Sequence, residues 1–210
     1  MNIIQSAWAL VKEHKRAYIV FNVLYYGLVL VFMGVAALNP ALQDQLIQLV
    51  GEGFSSGPLA VVGEAYLNAE VFKAIALTFV VNLFVASLLS ITVPSLIIPF
   101  IGLLLGVYRA ILWGLIFYPG HPDMQMVMLP HSLTLILEGQ AYILVMFAAW
   151  LQGTAFISPQ SAGVEGHGRG YLEGLKRTGK IYILVVLTLL VAAIYEVIEV
   201  VLLAQMLGAA

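Results

Sequence analysis

The chain has 210 residues, of which 62% are hydrophobic and 10% are charged, with a net charge of −2 and a mean hydropathy of +1.01. Soluble domains hold roughly 45–50% apolar and about 25% charged residues, so this composition excludes a water-facing surface and predicts an integral membrane protein in contact with the lipid bilayer. It gives no indication of nucleic-acid binding, and the absence of cysteine excludes disulfides, thiol chemistry and thiolate metal sites.

The first segment, residues 1–16, has the pattern of an amphipathic helix. Apolar residues fall at helical spacing on one face, and basic residues follow them. The apolar set is Ile4, Ala7, Trp8 and Val11, and the basic set is Lys12, Lys15 and Arg16. This pattern predicts an interfacial helix whose tryptophan lies at the level of the lipid headgroups.

Five long apolar segments follow, and each approaches the roughly 20 residues that a transmembrane helix needs. Proline, glycine and asparagine at their ends indicate turns. The predicted fold is therefore an all-α, polytopic transmembrane bundle in one domain, residues 1–210, with interfacial helices in addition. The predicted spans are 18–38, 72–93, 99–118, 129–151 and 180–206.

The distribution of Lys and Arg predicts the orientation. Basic residues flank the first span on its N-terminal side and lie between spans four and five, which makes both regions cytoplasmic. This places the N-terminus in the cytoplasm and the C-terminus outside the cytoplasmic (inner) membrane. Residues 39–71 then form an outer loop and residues 152–179 a cytoplasmic loop.

The outer loop is acidic, and its apolar residues between Leu42 and Val50 predict one amphipathic helix on the outer surface. The stretch "GEGFSSGPLAVVG" is compatible with a flexible, a re-entrant or a packed segment, and a surface loop is the favoured interpretation. The cytoplasmic loop is rich in glycine and positive charge. Because its glycines lack the dinucleotide and Walker spacings, a flexible loop leading into a basic juxtamembrane helix is expected instead of a nucleotide site.

Polar side chains within four predicted spans converge on one depth. Glu138 lies nine residues from the outer start of its span, and Arg109 lies nine residues from the outer end of the preceding one. Both are about 14 Å deep at 1.5 Å per residue. Asn82 and Glu196 fall at a similar level, and His131 lies closer to the outer surface on the same helix face as Glu138. These five residues form the predicted polar membrane cluster.

An arginine inside a membrane cannot lose its charge, so it needs a partner. Glu138 or Glu196 is the expected counter-ion for Arg109, and two carboxylates near one arginine would leave one able to carry a proton. A purely structural ion pair that sets helix register is an equal alternative, and Glu196 and Glu199 are interfacial if the last span is shorter. The third span also carries a small-residue face for helix packing: Gly102, Gly106, Ala110 and Gly114.

Motifs for catalysis are missing from the sequence. There is neither a zincin His-Glu-x-x-His nor a Gly-x-Ser-x-Gly nucleophile elbow. We therefore expect no enzyme activity, no catalytic residue, no metal and no cofactor.

The stretches "LTFVVNLFVASL", "IIPFIGLLLGVYRAILWG" and "LPHSLTLILEGQA" resemble the stage II sporulation protein M family of bacterial and archaeal membrane proteins. The resemblance covers residues 72–153 and is carried by Asn82, the Gly102 and Gly106 pair, and the Pro130-His131 motif with Glu138. Ser132 replaces the family's glycine, and Glu138 follows His131 by two turns instead of one. The founding member works with cell-wall hydrolases during engulfment in spore formers, and most relatives come from organisms that do not sporulate.

The resemblance implies a membrane subunit or scaffold for envelope or membrane partner proteins, and a homo-oligomer or a membrane-protein partner is expected. The alternative is a transporter or channel subunit that moves a small anion, a proton or a lipid headgroup along a polar path around Arg109 and Glu138. A polar cavity that reaches these residues would favour transport, whereas a dry ion pair would favour the scaffold.

Overall fold

The computed structural model describes residues 2–206, so Met1 and residues 207–210 of the predicted domain lie outside the described range. Throughout that range the regular structure is helical, which confirms the all-α prediction. Four helices are long and apolar enough to cross a membrane, so the chain is an integral membrane protein. These are α2 (Lys15–Leu38), α5 (Val71–Ile97), α7 (Met128–Ile157) and α8 (His167–Met206). The shorter helices are α1 (Ile3–Glu13), α3 (Pro40–Ser55), α4 (Ala60–Leu67) and α6 (Ile101–Ile116).

Helix α6 corresponds to the predicted span 99–118 but has only 16 residues, about 24 Å at 1.5 Å per residue. It runs antiparallel to α7, as contacts near its two ends show. A side chain at Gly102 would meet Ala149, and the ring of Phe117 lies 5.1 Å from that of His131. Helix α6 is thus the fifth helix of the bundle.

The bundle has two chemically different ends. The end that holds α1 and the connection between α7 and α8 carries most of the basic residues, and we call it the basic end. The opposite end holds the end of α2, the end of α6 and the start of α5. At the basic end, the ring of His14, the residue that connects α1 to α2, packs edge-on against Trp150 of α7 at 5.3 Å.

Helix α1 only partly matches its prediction as an interfacial helix. Ala7 and Val11 of the predicted apolar face are buried in the bundle, whereas Ile4 and Trp8 are exposed. The helix is capped by Asn2, which accepts the Gln5 N–H at 2.8 Å. It therefore packs on protein along one edge and leaves its tryptophan facing the surroundings.

Helix α7 is the central helix, since every residue from Ala141 to Ala149 is buried. A helix that is apolar on all sides needs neighbours on all sides. Gln140, which directly precedes this stretch, is fully partnered by α2: it accepts from the Tyr18 hydroxyl at 2.7 Å and donates to Asn22 at 2.7 Å and Tyr26 at 3.1 Å. This network satisfies in protein the groups that lipid would leave unpaired.

The predicted bounds of the cytoplasmic loop, 152–179, are wrong because the loop is shorter in the structure. Helix α7 continues to Ile157 and α8 begins at His167, so only nine residues connect them. Two loop glycines serve close helix packing: a Cβ at Gly170 would collide with the Ala155 carbonyl, and one at Gly174 would collide with the Gln152 side chain. The basic juxtamembrane helix is the first part of α8 itself.

The predicted outer surface loop 39–71 instead forms a hairpin of two helices, α3 and α4, against the bundle. The start of α3 lies at the opposite end, where Gln43 donates to the Ile116 and Tyr118 carbonyl oxygens at 2.9 and 3.0 Å. From there α3 extends about 16 Å to Phe54, whose carbonyl group a Cβ at Gly63 of α4 would strike.

Helix α4 returns antiparallel to the first half of α5. Ala65 packs against Ala74, and the Tyr66 and Thr78 hydroxyls lie 3.0 Å apart. The residues before α4 reach still deeper, since Leu59 shares a cavity wall with Val85. The favoured surface-loop interpretation is therefore wrong, and the re-entrant alternative describes the hairpin, because its tip lies beside the middle of α5.

The small-residue face of α6 packs inside the chain. All four residues are buried, and Gly106 lies against Met146 of α7. Gly114 lies against the backbone of α2, where a Cβ would come within 2.5 Å of the Val29 carbonyl oxygen. Small residues allow helix backbones to approach in this way. This face is thus used between helices of one chain and is not free for a partner.

We expect Gly114→Ala to destabilise the protein by about 1–3 kcal/mol, the usual cost of overpacking, because a helix backbone cannot yield as a side chain can. The measurement is the melting temperature of the detergent-solubilised protein. Gly34→Ala is the matched control on α2, since a Cβ at Gly34 meets nothing within 4 Å. Equal melting temperatures for the two variants would show that α2 and α6 do not approach this closely.

Candidate functional site

The middle of α5 is a π-helix from Val81 to Thr92, flanked by α-helical turns. Two serine hydroxyls follow this wider register: Ser87 donates to the Asn82 carbonyl at 2.8 Å, and Ser90 donates to the Val85 carbonyl at 2.7 Å. Extended π-helical geometry is rare and is frequent at functional sites. Here it presents Asn82 toward α6 and α7.

A chain of three hydrogen bonds connects Arg109 of α6 to Glu138 of α7. The Arg109 Nη2 donates to the Tyr142 hydroxyl at 2.7 Å, and that hydroxyl donates to Asn82 Oδ1 at 3.0 Å. Asn82 Nδ2 then donates to Glu138 Oε1. All three donors point from the guanidinium toward the carboxylate, an arrangement in which each bond polarises the next.

The expected direct ion pair between Arg109 and a glutamate is therefore wrong. No carboxylate oxygen within residues 2–206 lies within 4.0 Å of the Arg109 guanidinium. The charge is instead held over two aromatic faces, with its central carbon 3.8 Å from the Tyr142 ring centroid and 5.4 Å from that of Trp113. Such cation–π contacts strengthen when they are desolvated. They use the face of the guanidinium and not its N–H donors.

Several polar atoms around this chain are buried without a hydrogen-bond partner. They are Arg109 Nε, the hydroxyl of Tyr25 and Glu196 Oε2. An unpaired buried polar atom costs about 1–3 kcal/mol. Three of the five such side-chain atoms within residues 2–206 therefore lie around Arg109 and Glu196.

His131 and Glu199 form a second polar contact nearer the opposite end. The His131 Nδ1 lies 3.2 Å from Glu199 Oε1, and Thr134 donates to Glu199 Oε2 at 2.8 Å. Glu199 is 5% exposed, so it is buried in protein at the level of His131 and Thr134, close to the start of α7. His131 contacts Glu199 on one side and the Phe117 ring on the other.

One cavity of about 500 Å³ is in contact with every residue of the predicted polar membrane cluster. Asn82, Arg109, His131, Glu138 and Glu196 all line it, together with Thr78, Thr134 and Trp113. The hairpin of α3 and α4 lines one side of it with Val50, Phe54 and Val62. The volume falls within the range of about 300–1,000 Å³ that is typical of small-ligand pockets.

Sequence reasoning missed the aromatic residues of the site. Tyr142 is the direct partner of Arg109, although no sequence motif points to it. Tyr25 is fully buried in α2 and carries an unpaired hydroxyl, yet it stands in an unremarkable apolar stretch. The one available signal was the helical spacing of four between Glu138 and Tyr142, which puts both side chains on one face.

Comparison with protein-family models, with curated proteins and with solved structures found no match for this chain. Within residues 2–206, no group of three or more histidine, aspartate or glutamate side chains is arranged to hold a metal ion. The chemistry of the cavity therefore has to be argued from its own residues: one guanidinium, two carboxylates, an imidazole, an amide and several hydroxyls.

We expect Tyr142→Phe to lower the unfolding free energy by about 1–3 kcal/mol, because it leaves Arg109 Nη2 and Asn82 Oδ1 buried without their shared partner. In a chain of this length that corresponds to a fall of about 2–4 °C in melting temperature per kcal/mol. Tyr108→Phe is the control on the same helix pair, since Tyr108 is 60% exposed. If both variants melt like the wild type, the hydroxyl does not bridge the two residues.

Proposed function

We propose that the protein is a transporter or channel subunit whose central cavity binds a small anion or an anionic headgroup at Arg109 and exchanges protons at Glu138 and Glu196. The single observation that carries this proposal is the cavity of about 500 Å³ that reaches all three charged side chains in place of a dry ion pair. A scaffold needs no such cavity, whereas intramembrane ionisable residues that line one are typical of substrate and proton paths.

Charge balance supports the coupling of an anion to a proton. Arg109 contributes one positive charge, and Glu138 and Glu196 contribute two negative charges when both are ionised. Net charge in the membrane interior is costly, so the empty cavity is most stable with one carboxylate protonated. A bound monoanion brings one more negative charge, and protonation of the second carboxylate restores neutrality. Other titratable groups near this pair are Tyr25, Tyr66, His131, Tyr142 and Glu199.

Glu196 lies where a path would leave the cavity. It lines the central cavity and also a second one of about 350 Å³ between the α3–α4 hairpin and α8. The second cavity includes Gly63, Tyr66 and Val200. A carboxylate shared by two cavities is well placed to pass a proton between them, and its unpaired Oε2 is the atom that would carry it.

The basic end is proposed to face the cytoplasm, in line with the positive-inside rule. Five crossing helices then put the N-terminus inside and the C-terminus outside the cytoplasmic membrane. Membership of the stage II sporulation protein M family, an absence of enzyme activity and a homo-oligomeric or partner-bound state stay predictions. The scaffold role loses one argument, because the small-residue face of α6 is already covered within the chain.

The test is flux in proteoliposomes with two probes: inorganic phosphate, followed by proton uptake into vesicles that contain a pH-sensitive dye, and a headgroup-labelled anionic lipid, followed by its exposure to a reductant. We expect the wild type to exceed protein-free vesicles with at least one probe. Glu138→Gln should lower that rate by about tenfold or more because the amide cannot carry a proton. Its oxygen still accepts from Asn82, so the fold should survive.

Glu165→Gln is the matched control, since Glu165 is exposed in the connection between α7 and α8. It should retain the wild-type rate. The transport proposal fails if neither probe moves faster with protein than without it. Loss of a co-purifying membrane protein from Glu138→Gln, with no flux in the wild type, would instead support the scaffold.

A further inference from the structure

The central cavity has an apolar opening on the side of the bundle. Five of its lining residues are exposed: Val50, Phe54 and Pro58 on the α3–α4 hairpin, and Val85 and Ser90 on α5. We call this set the lateral opening. Three of its members are large hydrophobic residues, with Val85 49% exposed, which suits contact with acyl chains better than contact with water.

The lateral opening lies at membrane depth. Val85 is fourteen residues from the first residue of α5, Val71, which is about 21 Å along an α-helix. The hairpin tip reaches the same level, because Leu59 and Val85 line one cavity. A ligand that enters here comes from within the bilayer.

Polar contacts at the opposite end anchor the hairpin. Gln43, which is 1% exposed, donates to the Ile116 and Tyr118 carbonyl oxygens, and Asp44 contacts His121 at 2.7 Å. These contacts fix the start of α3 at that end of the bundle, and so hold the hairpin residues that border the lateral opening.

The polar groups inside define what the ligand's head must be. Arg109 has an unpaired buried Nε and is the only arginine or lysine among the described residues that line the cavity, and Asn82, Thr78 and Thr134 add hydrogen-bonding groups. A guanidinium matches the geometry of a phosphate oxyanion. The ligand therefore combines an oxyanion with an apolar tail.

We propose that the cavity binds an anionic amphiphile of the bilayer, with its phosphate-type headgroup on Arg109 and its acyl chain leaving through the lateral opening. This rests on the proposed anion-binding function and names its substrate class and route. It adds Val85 and the hairpin residues Val50, Phe54 and Pro58 as the part of the site that selects for a tail. A soluble phosphate shares the headgroup chemistry but gains nothing from these residues.

Trp113 provides a reporter, because it lines the cavity and lies beside Arg109. Trp8→Phe and Trp150→Phe remove the other two tryptophans. The probe is phosphatidic acid with brominated acyl chains, which quenches a nearby indole, titrated into the protein in micelles of an uncharged detergent. Phosphatidylcholine with the same brominated chains is the headgroup control. We expect saturable quenching by the phosphatidic acid and at least about tenfold weaker binding of the phosphatidylcholine.

Two variants locate the ligand. Arg109→Gln should weaken binding of the phosphatidic acid by about tenfold or more, since it removes the charge-assisted hydrogen bonds. Val85→Phe should weaken binding of the phosphatidic acid because it narrows the lateral opening, while the hydrogen bonds from Arg109 to Glu138 stay intact. This variant therefore tests the proposal even if Arg109→Gln fails to fold. Leu89→Phe is the matched control, because Leu89 is 58% exposed on the same helix but does not line the cavity. It should bind like the wild type.

Quenching that is unchanged in both Arg109→Gln and Val85→Phe overturns the proposal. So does displacement of the brominated lipid by inorganic phosphate alone with equal affinity in the wild type and Val85→Phe, since the occupant is then a soluble anion. Saturable lipid binding without flux of either probe would support this inference and remove the transport function. Phosphate flux without lipid quenching would do the reverse.

Discussion

The charge of Arg109 is the constraint around which the interior is arranged. A guanidinium in the apolar layer cannot be neutralised by losing a proton, so protein must surround it. The bundle does this without a contacting carboxylate. The Tyr142 ring covers the charge, its hydroxyl accepts from it, and Asn82 carries the polarisation on to Glu138. The ion pair is thereby spread over three hydrogen bonds, which keeps the guanidinium and the carboxylate apart and leaves a cavity between helices.

This arrangement depends on how closely α6 approaches its neighbours. Gly102, Gly106 and Gly114 let α6 lie directly against α7 and α2, with contacts that a methyl group would disrupt. Close packing on those two sides fixes the rotation of α6. Arg109 is thereby presented to Tyr142 instead of lipid, and the π-helical register of α5 brings Asn82 to the same place.

The α3–α4 hairpin converts this polar core into a site. Without it, Glu196 and Arg109 would face the space beside α5 and α8. With it, the same groups lie in a cavity that is bordered by exposed apolar residues on its side. A hairpin of two short helices satisfies its own backbone groups, which is the condition for placing such a segment at membrane depth.

The sequence by itself determined the class of protein and much of its organisation. Apolar runs of about 20 residues have few solutions other than membrane helices, and charged residues inside them must point toward protein. That is why the all-α bundle and the convergence of Asn82, Arg109 and Glu138 could be predicted. Helix ends were predicted less well: residues 152–157 and 167–179 are helical because α7 and α8 pack on each other, a contact that local composition does not reveal.

Only the tertiary structure decided how the polar groups are partnered and what surrounds them. Depth along a helix follows from counting residues at a constant rise, but rotation and lateral position depend on packing against other helices. Tyr142 therefore replaced a glutamate as the direct partner of Arg109, and the "GEGFSSGPLAVVG" segment entered the bundle instead of lying over it. The physical reason is the same in both cases. A one-dimensional pattern specifies which groups must avoid lipid, and the three-dimensional packing selects the partners that allow it.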